Sequence, residues 1–307
     1  MIDFSKKPLF LAPLAGFSDL PLRSVVKKFG CDVTISEMIS ANALVYESSA
    51  KTLEMVKKSP NEIPYIVQIA GNDIQNIKKA VQIINKFDGI DGIDLNCGCP
   101  VPKVIKQCAG SALLNDLDHL KRIVETIKKT SNKSSTSVKI RLGFNDKNQI
   151  AIAKACEDAG ADYIAIHGRT KAGGYSAVVD YNAIAQAKAN VKIPVIANGD
   201  INAQNANEIL KITNCDAIMI GRASIGNPWI FAEIKNGTSV SNELKREIIL
   251  AHFDAMIAHY GEHGANIFRK HLHQYSKGHE GATAFRNEIN HINNTNIMRD
   301  LIKGFFA

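Results

Sequence analysis

The sequence predicts an α/β protein, a (β/α)8 TIM barrel followed by a small all-α helical domain. Eight short apolar segments alternate with amphipathic helical patterns over residues 1–235. This alternation is typical of a closed parallel barrel with a helix after each strand. No strand candidate follows residue 240. The length of 307 residues suits one barrel of about 250 residues and one smaller domain.

The predicted strands are short apolar runs that end in turn residues. In chain order they are PLFLAP (8–13), DVTISE (32–37), PYIVQIA (64–70), GIDLN (92–96), SVKIRLGF (137–144), DYIAIHG (162–168), PVIANGD (194–200) and AIMIGRA (217–223). An open doubly wound sheet is the alternative arrangement. It is disfavoured because no G-x-G-x-x-G motif follows the first strand. We therefore expect a closed barrel that ends near residues 229–234.

Apolar residues at helical spacing mark the segments between the strands. Two such sets are Ile74, Ile77, Val81 and Ile84, and Leu117, Leu120, Val124 and Ile127. Asp19 directly precedes Leu20-Pro21, and this order predicts a helix start with proline in the first turn. One long helical face lies after residue 240, at Leu244, Ile248, Ile249, Phe253, Met256, Ile257 and Tyr260. We predict a barrel domain over residues 1–235 and a helical domain over residues 240–307.

The composition indicates a soluble, cytoplasmic protein. Hydrophobic residues make up 45% and charged residues 22% of the chain, which is ordinary for a globular domain. The start of the chain, MIDFSKKPLF, is too polar and too short for a signal peptide. No apolar run approaches the roughly 20 residues of a membrane span. No membrane association is expected, and the protein is predicted to act as a monomer.

The formal net charge of +7 is compatible with a polyanionic partner such as nucleic acid. Residues 241–307 hold 8 Lys and Arg against 7 Asp and Glu, so the barrel carries the remaining +6. Much of the positive field is therefore expected on the barrel face, around Lys103, Lys106 and Lys171.

Two cysteines one residue apart, Cys97 and Cys99, stand where the GIDLN strand runs into a Gly-Pro turn. A metal site, a disulfide and a catalytic thiol are the possible roles at this stage. C-x-C spacing is too tight for a structural zinc site, which needs wider spacing and a second ligand pair. In a reducing cytosol the six cysteines should be mostly free thiols. Seven of the nine histidines follow residue 240, but no metal site is expected among them.

Small and polar residues follow the predicted strands, at the barrel end that carries the chemistry in this fold. The stretch Ala12-Pro13-Leu14-Ala15 leaves space for a flat ligand. Lys139, in the fifth strand, is costly to bury unless it meets an anion. Glycine loops after the seventh and eighth strands, together with Arg222, predict a phosphate site. The full set is Pro13, Ala15, Gln68, Lys139, His167, Asn198, Gly199, Asp200, Gly221 and Arg222.

This set suits a planar phosphorylated cofactor such as FMN. Lys139 would then stabilise negative charge on the reduced ring. The strand ends lack the paired carboxylates of a glycoside hydrolase and the carboxylate cage of a magnesium site. Both of those functions are therefore disfavoured.

Longer blocks of the sequence follow one another in the order of a known family. They are LAPLAGFSDLPLR, SEMISANAL, VQIAGND, GIDLNCGCPVPKVIKQCAGSALL, VKIRLGF, AIHGRT, IPVIANGDI and IMIGRASIGNPWIF, with RKHLHQYSKGHEGATAFRNEIN in the tail (269–290). These blocks resemble the tRNA-dihydrouridine synthases, most closely the bacterial B-type branch. The resemblance runs through residues 8–232 and resumes in the tail. Its most specific part is the NCGCP block.

The resemblance implies an FMN-dependent barrel that reduces one uridine in tRNA to dihydrouridine, with NADPH as the reductant. It implies that the ten strand-end residues named above hold the flavin ring and its ribityl phosphate. The family's proton donor is the cysteine of its G-C-P motif, which is Cys99 in this sequence. Hydride from FMN to C6 and a proton from Cys99 to C5 would complete the reduction. Cys97 stands where the family commonly has methionine.

The resemblance also places RNA binding in the helical tail. The candidates are Arg269, Lys270, Lys277 and Arg286, with Tyr275 as a possible stacking surface for a base. Two other functions remain open. An FMN barrel that acts on a small pyrimidine, like dihydroorotate dehydrogenase, would not need the tail. A non-catalytic RNA-binding protein would carry no flavin.

Overall fold

A sheet of parallel strands wraps into a nearly closed barrel. The computed structural model describes residues 2–47 and 49–307, and within these the sheet has nine strands. They are β1 (Leu9–Leu11), β2 (Thr34–Ile35), β3 (Ile39–Ser40), β4 (Tyr65–Ala70), β5 (Gly92–Cys97), β6 (Ser135–Arg141), β7 (Tyr163–His167), β8 (Val195–Asn198) and β9 (Ala217–Ile220). Each of the eight predicted strands is present, six of them within shorter bounds, whereas β5 extends one residue further and β6 begins two residues earlier than predicted. The short β3, which pairs with β4, was not predicted.

The two ends of the sheet meet at β1. This strand pairs with β9 in the register Leu9↔Ile218 through Leu11↔Ile220. On its other side a parallel bridge joins Phe10 to Val33, just before β2. The open doubly wound alternative is therefore wrong, and the TIM-barrel prediction is confirmed. Closure brings the carboxyl ends of all the barrel strands around one mouth.

Side chains alternate between the two faces of each strand, and this alternation positions the site. In β6, Val138 and Ile140 pack into the apolar layer between strands and helices. The residues next to them, Lys139 and Arg141, line the cavity at the barrel mouth. The lower interior of the barrel is filled by an apolar cluster of Phe10, Ile35, Ile66, Tyr163, Ala165, Ile196, Ala217 and Met219.

Helices follow the strands as the periodicity predicted. Those of the barrel are α1 (Leu20–Lys28), α2 (Ala50–Glu54), α3 (Ile74–Ile84), α4 (Pro102–Ile105), α5 (Leu117–Thr130), α6 (Gln149–Asp158), α7 (Tyr181–Ala189), α8 (Ala206–Thr213) and α9 (Ile230–Asn236). The predicted start of α1 is confirmed, because the Asp19 carboxylate accepts a hydrogen bond from the backbone N–H of Leu22 at 3.2 Å. Such a cap satisfies an N–H that the helix itself leaves unpaired.

The tail is helical throughout, with α10 (Asn242–Tyr260), α11 (His263–Tyr275), α12 (Ala282–His291) and α13 (Thr295–Phe305). Its apolar core includes Phe253, Phe268 and Ile289, and it extends onto Val25 of α1 and onto Trp229. The helical region thus packs directly on the first helix of the barrel. The division into residues 1–235 and 240–307 stays a prediction. No helix among the described residues has both the length and the apolar character of a membrane span.

Candidate active site

A cavity of about 820 Å³ opens at the carboxyl ends of the barrel strands. All the predicted cofactor and catalytic residues line it: Pro13, Ala15, Gln68, Cys99, Lys139, His167, Asn198, Gly199, Asp200, Gly221 and Arg222. They come from seven separate parts of the chain. Closure of the barrel is therefore what brings them together. Among the described residues, the cysteines form no disulfide, which removes that reading of Cys97 and Cys99.

A row of hydrogen bonds crosses the floor of the cavity from β5 to β4. The Asn96 amide donates to the Gln68 side-chain oxygen at 2.8 Å, and the Gln68 amide donates to Asp94 at 2.7 Å. Ser137 donates to the other oxygen of Asp94 at 2.6 Å. Burial raises the pKa of Asp94 to about 6. These bonds hold the Gln68 amide in one orientation. Asp94 was missed by sequence reasoning, although a lone carboxylate inside an apolar strand was a signal.

The loop that carries Cys99 is held from two sides. The side-chain oxygen of Asn96 accepts hydrogen bonds from the backbone N–H groups of Gly98 at 3.2 Å and Cys99 at 2.9 Å. The Cys99 carbonyl accepts from the backbone and the hydroxyl of Ser111, at 3.1 and 2.9 Å. Gly110 has a φ of +62°, and a Cβ there would lie 2.9 Å from the Cys99 carbonyl oxygen. The half-buried Cys99 is thus fixed at the cavity wall.

Lys139 supplies a positive charge to the cavity. Its ammonium donates to the Asn198 side-chain oxygen at 3.1 Å, and the Asn198 amide donates in turn to the Met219 carbonyl at 2.8 Å. Desolvation, with a smaller effect from Arg141, lowers the pKa of Lys139 to about 8. The cavity therefore holds this lysine charged at neutral pH and near its titration range in mild alkali.

His167 lies beside this lysine and is neutral. Burial, followed by the charges of Lys139 and Arg141, lowers the pKa of His167 to about 2. Its Nδ1 has no hydrogen-bond partner among the residues that the structure describes. A buried polar atom without a partner is uncommon in a folded protein. A bound ligand with a suitable polar group would satisfy it.

Asp200 joins two arginines at the part of the mouth formed by β8 and β9. Its carboxylate accepts hydrogen bonds from Arg169, at 2.5 Å, and from Arg222. The hydrogen bond from Arg169 is the main reason that the pKa of Asp200 is lowered. Arg169 is 5% exposed, whereas the Arg222 side chain is 54% exposed. Arg222 is therefore the guanidinium that a ligand can reach, whereas the buried Arg169, absent from the predicted set, holds Asp200 in place.

Arg141 and Tyr175 line one edge of the cavity. Neither residue is in the predicted set of site residues. Arg141 donates to the Gly98 carbonyl at 2.8 Å and to the Thr170 carbonyl at 3.1 Å. Its guanidinium lies 5.4 Å from the centre of the Tyr175 ring, and that of Arg222 lies 4.8 Å from the same ring. The loop after β7 thus places an exposed aromatic ring between two cations. Nothing in the sequence around Tyr175 signalled this position.

The basic RNA-binding candidates differ in their surroundings. Lys277 is exposed, and the Lys270 ammonium lies 5.5 Å from the ring centre of Phe17, a residue that lines the cavity. Arg269 donates to the Ile292 carbonyl at 2.7 Å. Arg286 likewise donates to the hydroxyl of a buried serine, Ser276, at 2.9 Å.

Tyr275 is only 4% exposed. Its ring stacks on Trp229 at 6.1 Å, and its hydroxyl contacts His252 at 3.0 Å. The expectation that Tyr275 stacks on an RNA base is therefore wrong, because this ring is part of the packing between the helical region and the barrel.

A family model described as "Dihydrouridine synthase (Dus)" matches residues 10–303. The chain belongs to the dihydrouridine synthase family. A "Probable tRNA-dihydrouridine synthase" of Helicobacter pylori (strain J99) is 49% identical to it, over 99% of this chain and 94% of the relative. A "tRNA-dihydrouridine synthase B" of Vibrio vulnificus is 39% identical, over 98% of this chain and 96% of the relative. The resemblance to the B-type branch is confirmed.

Solved structures with the same fold are far more distant in sequence. An old yellow enzyme homologue from Zymomonas mobilis has a TM-score of 0.55 at 14% identity, covering 77% of this chain and 90% of that chain. The old yellow enzyme from Trypanosoma cruzi has a TM-score of 0.57 at 11% identity, covering 76% and 89%. At these identities the likeness supports the barrel alone. This dihydrouridine synthase is an oxidoreductase by its family, and its cavity is the place where that chemistry is expected.

Proposed function

We propose that this dihydrouridine synthase reduces a uridine of tRNA to 5,6-dihydrouridine, with FMN as its cofactor and NADPH as the reductant. The names of its relatives in Helicobacter and Vibrio support tRNA as the substrate. The observation that carries the proposal is the convergence of Cys99, Lys139 and Arg222 on one cavity. A thiol, a buried cation and an exposed guanidinium are the groups that this reaction needs from the protein.

The cavity residues fit FMN. The unpartnered Nδ1 of His167 calls for a polar group from a ligand. Gly199 has a φ of +127°, and a Cβ there would lie 3.1 Å from the Val179 side chain. A larger residue would therefore be strained where the backbone borders the cavity. Pro13 and Ala15 would line the ring, and Gln68 and Lys139 would bind it.

The phosphate end of the cofactor would lie at the loops after β8 and β9. Asn198, Gly199, Gly221 and Arg222 are its expected partners, of which Arg222 offers a planar fork that suits phosphate oxygens. Asp200 is an anion and would repel a phosphate group directly. Its bonds to Arg169 and Arg222 give it another role, which is to hold both guanidinium groups in place.

Reduction of the uracil ring needs a hydride and a proton. FMN that NADPH has reduced would, when bound, supply the hydride for C6 of the base. Cys99 gives its thiol proton to C5 as the general acid, and proton transfer of this kind contributes about 10²- to 10⁴-fold to the rate. Lys139 keeps a positive charge beside the reacting groups, where it offsets developing negative charge. Asn96 and Ser111 hold the Cys99 backbone so that the thiol keeps its position.

A uridine inside folded tRNA must leave its stack to reach a cavity of this kind. Recognition of the RNA by shape would then fall to positive residues around the mouth. Lys103 on α4 and Lys106 directly after it are both exposed, and α4 follows the Cys99 loop. Lys270 lies beside Phe17, which lines the cavity, and Lys277 is exposed in the turn after α11. We propose that these two groups of lysines contact the tRNA backbone, and that the enzyme acts as a monomer in the cytoplasm.

One experiment tests the function. The purified enzyme, supplied with FMN and NADPH, is incubated with tRNA that lacks dihydrouridine, and the nucleosides are quantified by mass spectrometry. We expect dihydrouridine in the tRNA and no reduction of free uridine, UMP or orotate. Turnover of a free pyrimidine without tRNA would favour the small-molecule oxidoreductase. A protein that binds tRNA but takes up no flavin would favour the non-catalytic alternative.

A further inference from the structure

Three metal-ligating side chains meet where the helical region packs on the barrel. Asp19 caps α1, His252 lies on α10 and His271 lies on α11. One ligand atom from each lies within 4.8 Å of the others. All three are buried, with exposures of 5%, 0% and 0%. The cluster is separate from the cavity residues, but Phe17, which lines the cavity, contacts the His271 ring edge-on at 5.5 Å.

The two imidazoles lack hydrogen-bond partners where a ligand would bind. Nε2 of His252 and both ring nitrogens of His271 are unpartnered among the residues that the structure describes. Leaving several buried polar atoms unsatisfied is unfavourable unless something else binds them. A single cation within reach of Asp19, His252 and His271 would bind two of these three nitrogens, one from each ring.

The surrounding hydrogen bonds already orient these side chains. The Tyr275 hydroxyl contacts Nδ1 of His252 at 3.0 Å, which leaves Nε2 as the free ligand atom. One oxygen of Asp19 accepts from the backbone of Leu22, and the other accepts from the Tyr260 hydroxyl at 3.2 Å. Support of this kind is what metal-ligating His and carboxylate groups usually receive from their neighbours.

The charge of the cluster suits a cation in part. Burial lowers the pKa of His252 to about 3 and that of His271 well below its usual value. Both rings are therefore neutral, which metal ligation requires. Burial raises the pKa of Asp19, but a bound cation would favour its carboxylate form, which supplies one negative charge. Glu37 interacts with Asp19 electrostatically. Lys270 and Arg23 are the nearby positive groups that oppose a cation.

We propose that Asp19, His252 and His271 bind one divalent transition-metal ion, for which Zn²⁺ is the best match. Two imidazoles and a carboxylate are ligands that Zn²⁺ prefers, and a water molecule would complete four-coordination. The ion would join the first barrel helix to α10 and α11. It would therefore stabilise the wall between the helical region and the catalytic cavity. The sequence did not predict this site, because its ligands lie far apart in the chain.

Cobalt(II) is the probe for this site, since its visible bands report the ligands. Metal-free enzyme is titrated with Co²⁺ and then with competing Zn²⁺. We expect one Co²⁺ per chain, with d–d bands of nitrogen and oxygen ligation and without the strong near-ultraviolet bands that thiolates produce. Thermal unfolding with and without Zn²⁺ should show a higher Tm for the metal-bound protein.

Variants then assign the ligands. His252→Gln and His271→Gln should abolish the bands. His273 lies on the same helix as His271 but is bonded to Asn290 at 3.1 Å, so His273→Gln should keep them. Lys270→Met retains every ligand and removes an opposing charge, so it should bind Co²⁺ more tightly. The proposal would be overturned if no d–d bands appear, if thiolate bands appear, or if the bands persist in His271→Gln. If a glutamine variant fails to fold, the wild-type spectrum and the Co²⁺ affinity of Lys270→Met still test the proposed site.

Discussion

The side-chain oxygen of Asn96 accepts a hydrogen bond from the backbone N–H of Cys99 at 2.9 Å. The amide of the same side chain donates to Gln68 at 2.8 Å. One residue therefore connects the loop that carries the thiol to the floor on which a flavin ring is expected to lie. This connection fixes the proton donor relative to the site of hydride transfer, and accurate placement of both groups is what the reaction requires.

Replacing the thiol should separate cofactor binding from chemistry. We expect Cys99→Ala to retain FMN and to reduce uridine about 10²- to 10⁴-fold more slowly, because it lacks the general acid. The measurement is single-turnover oxidation of the reduced enzyme by tRNA, followed by absorbance. Cys108→Ala removes an exposed thiol that follows α4; it is the matched control and should react at the wild-type rate. Equal rates for Cys99→Ala and wild type would remove the proposed role.

Loosening the Cys99 loop should also slow the reaction. Asn96→Ala removes both hydrogen bonds to the loop and the bond to Gln68, so we expect a loss on the order of 10²-fold in the rate of uridine reduction. The variant keeps the thiol, so alkylation of Cys99 by iodoacetamide gives a second readout of its position and access. An unchanged rate in both assays would show that the backbone contacts of Ser111 hold the loop without Asn96.

The positive charge of Lys139 should give FMN binding a pH dependence. Its pKa of about 8 in the cofactor-free protein means that the lysine is charged below pH 8 and becomes neutral above it. The affinity for FMN should therefore be constant at lower pH and begin to fall near pH 8. Lys139→Gln should bind FMN about 10- to 100-fold more weakly and lack this fall, since a hydrogen bond to a charged group contributes about 1.5–3 kcal/mol. Fluorescence titration of FMN from pH 6.5 to 9.5 measures both. A parallel fall in the variant would assign the titration to another group.

Arg222 should recognise the phosphate rather than the ring. We expect Arg222→Ala to weaken FMN binding about 10- to 100-fold, again from the loss of a charged hydrogen bond, and to leave the affinity for riboflavin unchanged. The ratio of the two affinities is the quantity to measure. Lys211→Ala, an exposed cation on α8, controls for a general change of charge. A loss of riboflavin affinity equal to that of FMN would place Arg222 elsewhere in the site.

Lys277, in the turn after α11, and Tyr275, on the buried face of α11, should contribute differently to tRNA binding. Lys277→Ala should weaken tRNA binding and reduce the slope of log K against log salt by about 1, as the loss of one phosphate contact does. Tyr275→Phe should leave tRNA affinity unchanged but lower the free energy of unfolding by about 1 kcal/mol, because it loses the hydrogen bond to His252. Filter binding at several salt concentrations and urea unfolding provide the two measurements. Weaker tRNA binding by Tyr275→Phe would restore Tyr275 as an RNA contact.

Much of the candidate site could be predicted because strand ends are visible in the sequence. Gln68, Lys139 and His167 are polar residues within apolar runs. The barrel places the carboxyl end of every such run at the same mouth. Arg169 and Tyr175 could not be assigned in this way. Their positions depend on the loop after β7, which folds over the mouth through contacts with Asp200 and Arg141 rather than through a local pattern.

The error at Tyr275 has a related cause. An aromatic residue in an amphipathic helix can face either water or the core, and the family resemblance suggested RNA contact for this part of the chain. Its neighbours one turn earlier, His271 and Leu272, are both fully buried. Residues at this spacing share a helix face, so Tyr275 lies on the buried face, against Trp229.

The sequence by itself determined the alternation of strands and helices, the family, and the cavity residues that follow the strands. These depend on local periodicity and on short motifs, which neighbouring residues specify. Only the tertiary structure decided which distant side chains meet: the support of Asp200 by Arg169, the burial of Tyr275, and the cluster of Asp19, His252 and His271. The Tyr260 hydroxyl reaches Asp19 across 241 positions of the chain. The contacts between Asp19 and the helical region depend on how α10 and α11 pack against α1, and no local pattern specifies that packing.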